Sequence, residues 1–195
     1  MDLDHRRGGS ARERILAVAS ELFYEEGLKV GIDTIISRSG VAKATLYHHF
    51  PSKERLVLEV LDRRDLAWRA ALDEAVASSG GTPEQCLLAV FDALGAEFAR
   101  ADYRGSVFIN AAAEVTDGDH AAHDACRRHC AAVRSRLAAL ATEAGTVDPL
   151  RLAGDLMLLV DGAVVARTVQ GDRQAAERAR RVARHLLATD AAVAR

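Results

Sequence analysis

The chain has 195 residues and a net charge of -2 at pH 7; 49% of it is apolar and only 5% aromatic. That length holds one large domain or a small one joined to a larger one. The near-neutral balance excludes a globally basic surface, so any nucleic-acid contact must be local.

Helix signals recur in chain order, in a composition rich in alanine and leucine. Ser10-Ala11-Arg12-Glu13 has the spacing of a capping box, and Ile15, Ala19, Leu22 and Phe23 form an apolar face behind it. Glu25-Glu26-Gly27 closes this first helix. A second, short helix is predicted from about Asp33 to Ser39, with Ile35 and Ile36 inward. Gly40 supplies the positive φ of a sharp turn. In the short third helix that follows, Val41, Leu46 and Phe50 share the inner side. Ser52 caps a long fourth helix, which passes Leu56, Val60, Leu61, Trp68 and Leu72 before the break at Ser78-Ser79-Gly80-Gly81. Thr82-Pro83-Glu84-Gln85 opens a fifth, reaching about Ala101, with a cap, a first-turn proline and a capping-box glutamine. A sixth lies near Ser106 to Val115, followed by a loop at Asp117-Gly118-Asp119. The seventh runs from about His120 to Ala144, the eighth from Asp148-Pro149 to just before Gly171, and the ninth over roughly Arg173 to Thr189. Strict alternation and hairpin dipeptides are missing, so the expected fold class is all-α with about nine helices.

The third helix carries the chemistry. With Val41, Leu46 and Phe50 turned inward, Lys43, Thr45, Tyr47, His48 and His49 project outward, and Lys53 lies just beyond. A helix this short and polar on its outer side suits a major groove better than an enzyme site. The charge is local too: from His5 to Lys53, eight lysines and arginines face five carboxylates. Lys43 is placed to reach a base edge or a phosphate, and Tyr47 can donate its hydroxyl to a phosphate. Lys53 and the free amides of the fourth helix would hold the backbone. Thr34 and Arg38 on the second helix are further backbone contacts, and Arg6, Arg7 and Arg12 make an arm along the duplex.

The order Ile15-Leu16, Ala19, Leu22-Phe23, Gly27, Gly40-Val41, Lys43, Thr45-Leu46-Tyr47, Phe50 and Ser52-Lys53-Glu54 resembles the TetR family of bacterial transcriptional regulators. The resemblance implies a three-helix helix-turn-helix DNA-binding domain over residues 1–55. A helical effector-binding and dimerisation domain would cover 56–195. It implies a homodimer that reads a palindromic operator in double-stranded DNA, acts as a repressor, and is released by a small-molecule effector. Two positions depart from the family pattern. Gly31-Ile32 stands where a Thr or Ser pair usually opens the second helix, leaving Asp33 as the better cap, and Ala42 replaces a common serine before Lys43. The resemblance also pairs the eighth and ninth helices with their copies in a four-helix bundle. Leu152, Leu156, Leu159, Val160, Ala163 and Val164 make the eighth apolar nearly all round, and Ala176, Ala179, Val182, Ala183, Leu186 and Leu187 give the ninth a matching stripe.

Other residues support narrower expectations. Asn110, Glu114 and Asp161 are polar groups in apolar segments, and with Trp68, Phe91, Phe98, Phe108 and His123 they are candidates to line an effector pocket. His123, Cys126 and Cys130 share a sector of one helix, which offers an alternative: a regulator that senses a metal or an oxidant. Cys86, Cys126 and Cys130 make no disulfide framework. A helical enzyme is the rival class: His120 with Asp119 or Glu114 could make a base, but such pairs are common by chance. No phosphate-cradling loop, nucleophile elbow or zinc-hydrolase helix is legible, so neither a cofactor nor a catalytic set is expected. The run from Leu156 to Ala166 is interrupted by Asp161 and too short to span a bilayer, and Arg6-Arg7 have no apolar stretch behind them. The expectation is a soluble cytoplasmic protein with no membrane partner.

Overall fold

The computed structural model describes residues 9–115 and 121–193. Among these the regular structure is all α-helical: α1 (Ala11–Glu26), α2 (Ile32–Ser39), α3 (Lys43–His49), α4 (Lys53–Ser78), α5 (Pro83–Ala99), α6 (Val107–Glu114), α7 (Ala121–Glu143), α8 (Pro149–Gln170) and α9 (Ala175–Val193). The expected loop at Asp117-Gly118-Asp119, together with His120, Arg6 and Arg7, lies outside the described residues.

Local chemistry sets most of the helix ends. Ser10 Oγ accepts from the Glu13 amide, but the Glu13 carboxylate is drawn away to Arg63 Nη2 at 2.6 Å, where an opposite charge outweighs a return bond to the cap. At α5 both halves of the box form: Thr82 Oγ1 accepts from the Gln85 amide, and Gln85 Oε1 accepts from the Thr82 amide. Asp148 caps α8 through the Arg151 amide, and Pro149 occupies the first turn. Asp33 does not cap α2. The helix begins a residue earlier, after an extended Gly31, and the Asp33 carboxylate points to Lys43 instead. Gly40 adopts φ 64°, and its amide bonds the Ile36 carbonyl, which ends α2 in a left-handed turn that favours glycine.

The helices divide into two compact units. Among the described residues, the first lies within 1–65 and 107–127, the second within 66–106 and 128–195. Ile15, Leu22, Ile35, Leu46, Phe50, Leu56 and Leu61 form the first unit's core, completed by Phe108 and Ala111 of α6 and by Ala122, Ala125 and Cys126 of α7. Glu114 ties α6 to this unit as well: its Oε2 accepts from the Leu28 amide at 2.6 Å, beside Gly27 at φ 84°. The second unit buries Leu72, Leu87, Phe91, Phe98, Leu137, Leu152, Leu156 and Ala183, with α5 and α8 packed against α9.

Candidate nucleic-acid interface

Seven residues make α3, and their spacing sorts them. Leu46 is completely buried and Phe50 nearly so, which seats the helix on α1 and α2. Losing a fully buried phenylalanine or leucine typically costs about 2–5 kcal/mol, enough to fix this short helix despite its length. Lys43, Tyr47 and His48 are exposed, whereas Val41, Thr45 and His49 are half-buried. Tyr47 retains 42% exposure, a large amount for an aromatic ring with an unconstrained hydroxyl. The His48 and His49 rings meet edge to face at 5.2 Å, and His49 tilts against Phe50. The chain therefore presents a polar ridge on an apolar footing.

Thr34 and Arg38 are exposed on α2, and Lys53 is half-buried at the start of α4, where Ser52 Oγ accepts from the Arg55 amide. Lys43 Nζ lies 3.5 Å from Asp33 Oδ1, with both side chains largely in solvent. Nothing in the helical pattern announced this pair. Arg12 does not belong to a free arm. Its Nη2 bonds Glu59 Oε1 at 2.6 Å, and its guanidinium lies over the Phe50 ring, so it braces α1 against α4. Arg64 does similar work, bonding Ser20 Oγ and covering Tyr24.

The residues expected to line an effector pocket fall four to each unit. Phe108, Asn110, Glu114 and His123 belong to the first; Trp68, Phe91, Phe98 and Asp161 belong to the second. Phe91, Phe98 and Phe108 are core side chains, Glu114 holds the Leu28 amide, and His123 Nε2 lies 2.8 Å from the Val115 carbonyl. Trp68 meets His129 edge to face. Asp161 is half-buried on α8, and desolvation raises its pKa above the ordinary carboxylate value. Phe98 alone of the eight borders the cleft of about 430 Å³ in the second unit.

The sulfur and imidazole groups do not converge. Cys126 is buried and donates to the Phe108 carbonyl at 3.1 Å, and His123 is engaged at Val115. Cys130 is exposed, and its thiol pKa is raised by desolvation and by the nearby Asp161 charge, the opposite of what a reactive thiolate needs. Among the described residues, no group of three or more potential ligands is placed to hold a metal ion.

Burial also revises the expected dimer surface. Leu152, Leu156, Ala163 and Ala183 turn into the chain's own core, Leu159 and Leu186 are half-buried, and Val182 is exposed. A different stripe of α8 faces outward: Leu158 at 72% exposure, Val165 at 47% and Val169 at 77%, with exposed Gly162 between them. These positions fall within one sector of the helix at ~100° per residue. An α8 that is apolar all round has two greasy faces, and composition cannot tell which one the subunit keeps for itself.

Comparison with known proteins follows the same outline. The family described as "Bacterial regulatory proteins, tetR family" matches residues 15–60, the segment from α1 into α4. The crystal structure of SCO4454, a TetR-family transcriptional regulator from Streptomyces coelicolor, aligns with a TM-score of 0.86 and 31% identity, covering 92% of this chain and 95% of that one. The transcriptional repressor KstR2 of Mycolicibacterium smegmatis is 34% identical over 83 residues, which is 42% of this chain and 40% of its own length. The transcriptional activator FasR of the same organism is 46% identical over 61 residues, 31% of this chain and 26% of its own. The chain thus spans less than half of either curated relative. Because a solved relative matches over nearly its whole length and the family pattern covers the helix-turn-helix itself, the chain belongs to the TetR family of bacterial regulatory proteins.

Proposed function

We propose that this protein is a homodimeric transcriptional regulator that binds a palindromic operator, responds to a small-molecule effector, and acts as a repressor in the cytoplasm. The observation that carries this reading is the solvent-facing ridge of Lys43, Tyr47 and His48, held on buried Leu46 and Phe50. Phosphate contacts supply most of the affinity in such interfaces and base edges supply the discrimination, so Lys43 and the exposed face of α3 carry both roles. Thr34, Arg38, Thr45, His49 and Lys53 flank it. Residues 1–55 are the DNA-binding part and 56–195 the effector and dimer part of this scheme.

A single ridge covers too few base pairs for a specific site, so two copies are required. The exposed stripe of Leu158, Val165 and Val169, continued by Val182 of α9, is the surface proposed to pair them. Repression follows the naming of the KstR2 relative, whereas the FasR relative is named an activator. An effector that favours one spacing of the two α3 helices over another shifts the dimer away from its operator in proportion to that difference in affinity. The α4 helix runs through both units, residues 53–65 in one and 66–78 in the other, and so is the element proposed to transmit the change. The same ridge argues against an enzyme, since it offers no enclosed chemistry. No helix among the described residues is long and apolar enough to cross a membrane.

Selection of bound fragments from the source genome tests the reading directly. An enriched near-palindrome, with binding weakened roughly tenfold by Tyr47→Phe through loss of one bond to a charged phosphate, supports it. No enrichment over random fragments overturns it.

A further inference from the structure

The second unit contains a cleft of about 430 Å³ where α5 and α8 end and α9 begins. Phe98, Ala99, Arg100, Arg167 and Arg173 are among the residues that border it, and no carboxylate does. Arg100 is already neutralised, bonded to both Asp102 oxygens at 3.0 and 2.7 Å with Glu97 at 3.7 Å. Asp172, next to the cleft in sequence, is held by Arg178. The other two guanidiniums differ. Arg167 lies over the Tyr103 ring at 5.1 Å and donates two long bonds, 3.4 Å each, to the Phe98 carbonyl. Those contacts orient its charge without cancelling it. Arg173 is exposed and has no hydrogen-bond or ion-pair partner among the described residues.

We propose that this cleft binds a small organic anion, a carboxylate or phosphate monoester on a short apolar or aromatic body. Its charged end would sit between Arg167 and Arg173 and its body against Ala99 and the edge of Phe98. Arginine suits this task because its planar fork binds two anionic oxygens at once. An Arg167 already fixed by an aromatic ring and a carbonyl loses little freedom when it does so. The volume falls at the small end of the range for small-molecule sites, which fits a ligand of one ring rather than a large lipid. The inference concerns the second unit alone and stands apart from the DNA-binding reading.

Calorimetric titration of the full-length protein with benzoate, phenyl phosphate and neutral benzyl alcohol tests it. Binding of benzoate, phenyl phosphate or both, without binding of benzyl alcohol, is expected, and the two anions separate a carboxylate site from a phosphate one. Arg173→Gln, at an exposed position, should weaken the bound anion roughly tenfold or more. Ala99→Phe should block the cleft while both guanidiniums and the melting temperature are retained. The proposal fails if neither anion binds at millimolar concentration, if benzyl alcohol binds equally well, or if Arg173→Gln binds as the parent does.

Discussion

Lys43 and Asp33 show how a single neighbour retunes a contact. An exposed pair of this kind is weak and screened by salt, so Asp33 does not hold Lys43 away from a phosphate. It does add a negative charge beside the ridge. Lys43→Ala should therefore weaken binding about equally across sequences and lower the salt slope of log K by about one, whereas Asp33→Asn should strengthen binding a few-fold. Fluorescence titration across a salt series measures both effects. If Asp33→Asn binds more weakly, the carboxylate is positioning Lys43 rather than opposing the DNA.

Asp161 makes a different prediction. Burial raises its folded pKa, so the folded protein holds that proton more tightly than the unfolded chain does. The resulting stabilisation is complete below the unfolded value and is lost as pH rises through the folded one. Asp161→Asn should raise the melting temperature at neutral pH, with the gain shrinking on acidification. A variant that melts lower at neutral pH would show that the charge has a partner it needs. On α3 the sequence separated buried Leu46 and Phe50 from exposed Lys43, Tyr47 and His48 by helical period alone. Thr45 and His49, expected outward, and Val41, expected inward, are each half-buried, because neighbouring helices cover part of the ridge's flanks. The partners of Asp33 and Arg12 were not. Ion pairs between helices depend on packing angles that no local pattern encodes.

The helices as elements were nearly all legible, since caps, prolines and closing glycines act within a few residues. The use of their faces was less so. α8 carries apolar residues around most of its circumference, and the residues first expected at a dimer contact, Leu152, Leu156 and Ala163, fill the subunit's own core. The outward stripe of α8 consists of Leu158, Val165 and Val169, all three exposed. Leu158→Glu with Val165→Glu should yield monomers by sedimentation without loss of helicity, because both side chains already stand in solvent. A dimer that survives both charges would place the interface elsewhere. At the α1–α2 connection, Gly27 has φ 84°, and a Cβ there would come within 2.5 Å of the Glu114 carboxylate. Gly27→Ala should thus destabilise the first unit by about 1 kcal/mol or more, from backbone strain alone, as read by denaturant midpoint.

The composition of the first unit was the least legible feature of the whole molecule. Sequence order suggests that a DNA-binding head ends soon after α3, yet Phe108, Ala111, Ala122, Ala125 and Cys126 complete its core from far along the chain. Contacts of such separation leave no trace in a local window. Phe108→Ala should cost about 3–5 kcal/mol and depress operator binding although the residue is a core side chain and not part of the ridge. Equal binding by the refolded variant at low temperature would separate stability from contact. The same arrangement governs how the protein is born. As the polypeptide leaves the ribosome, the segment proposed to read the groove must wait from Phe50 until Cys126, about 75 further residues, before its interior can close. At ~5–20 residues per second that is a delay of several seconds, during which nascent Leu22, Phe50 and Leu56 are open to chaperones.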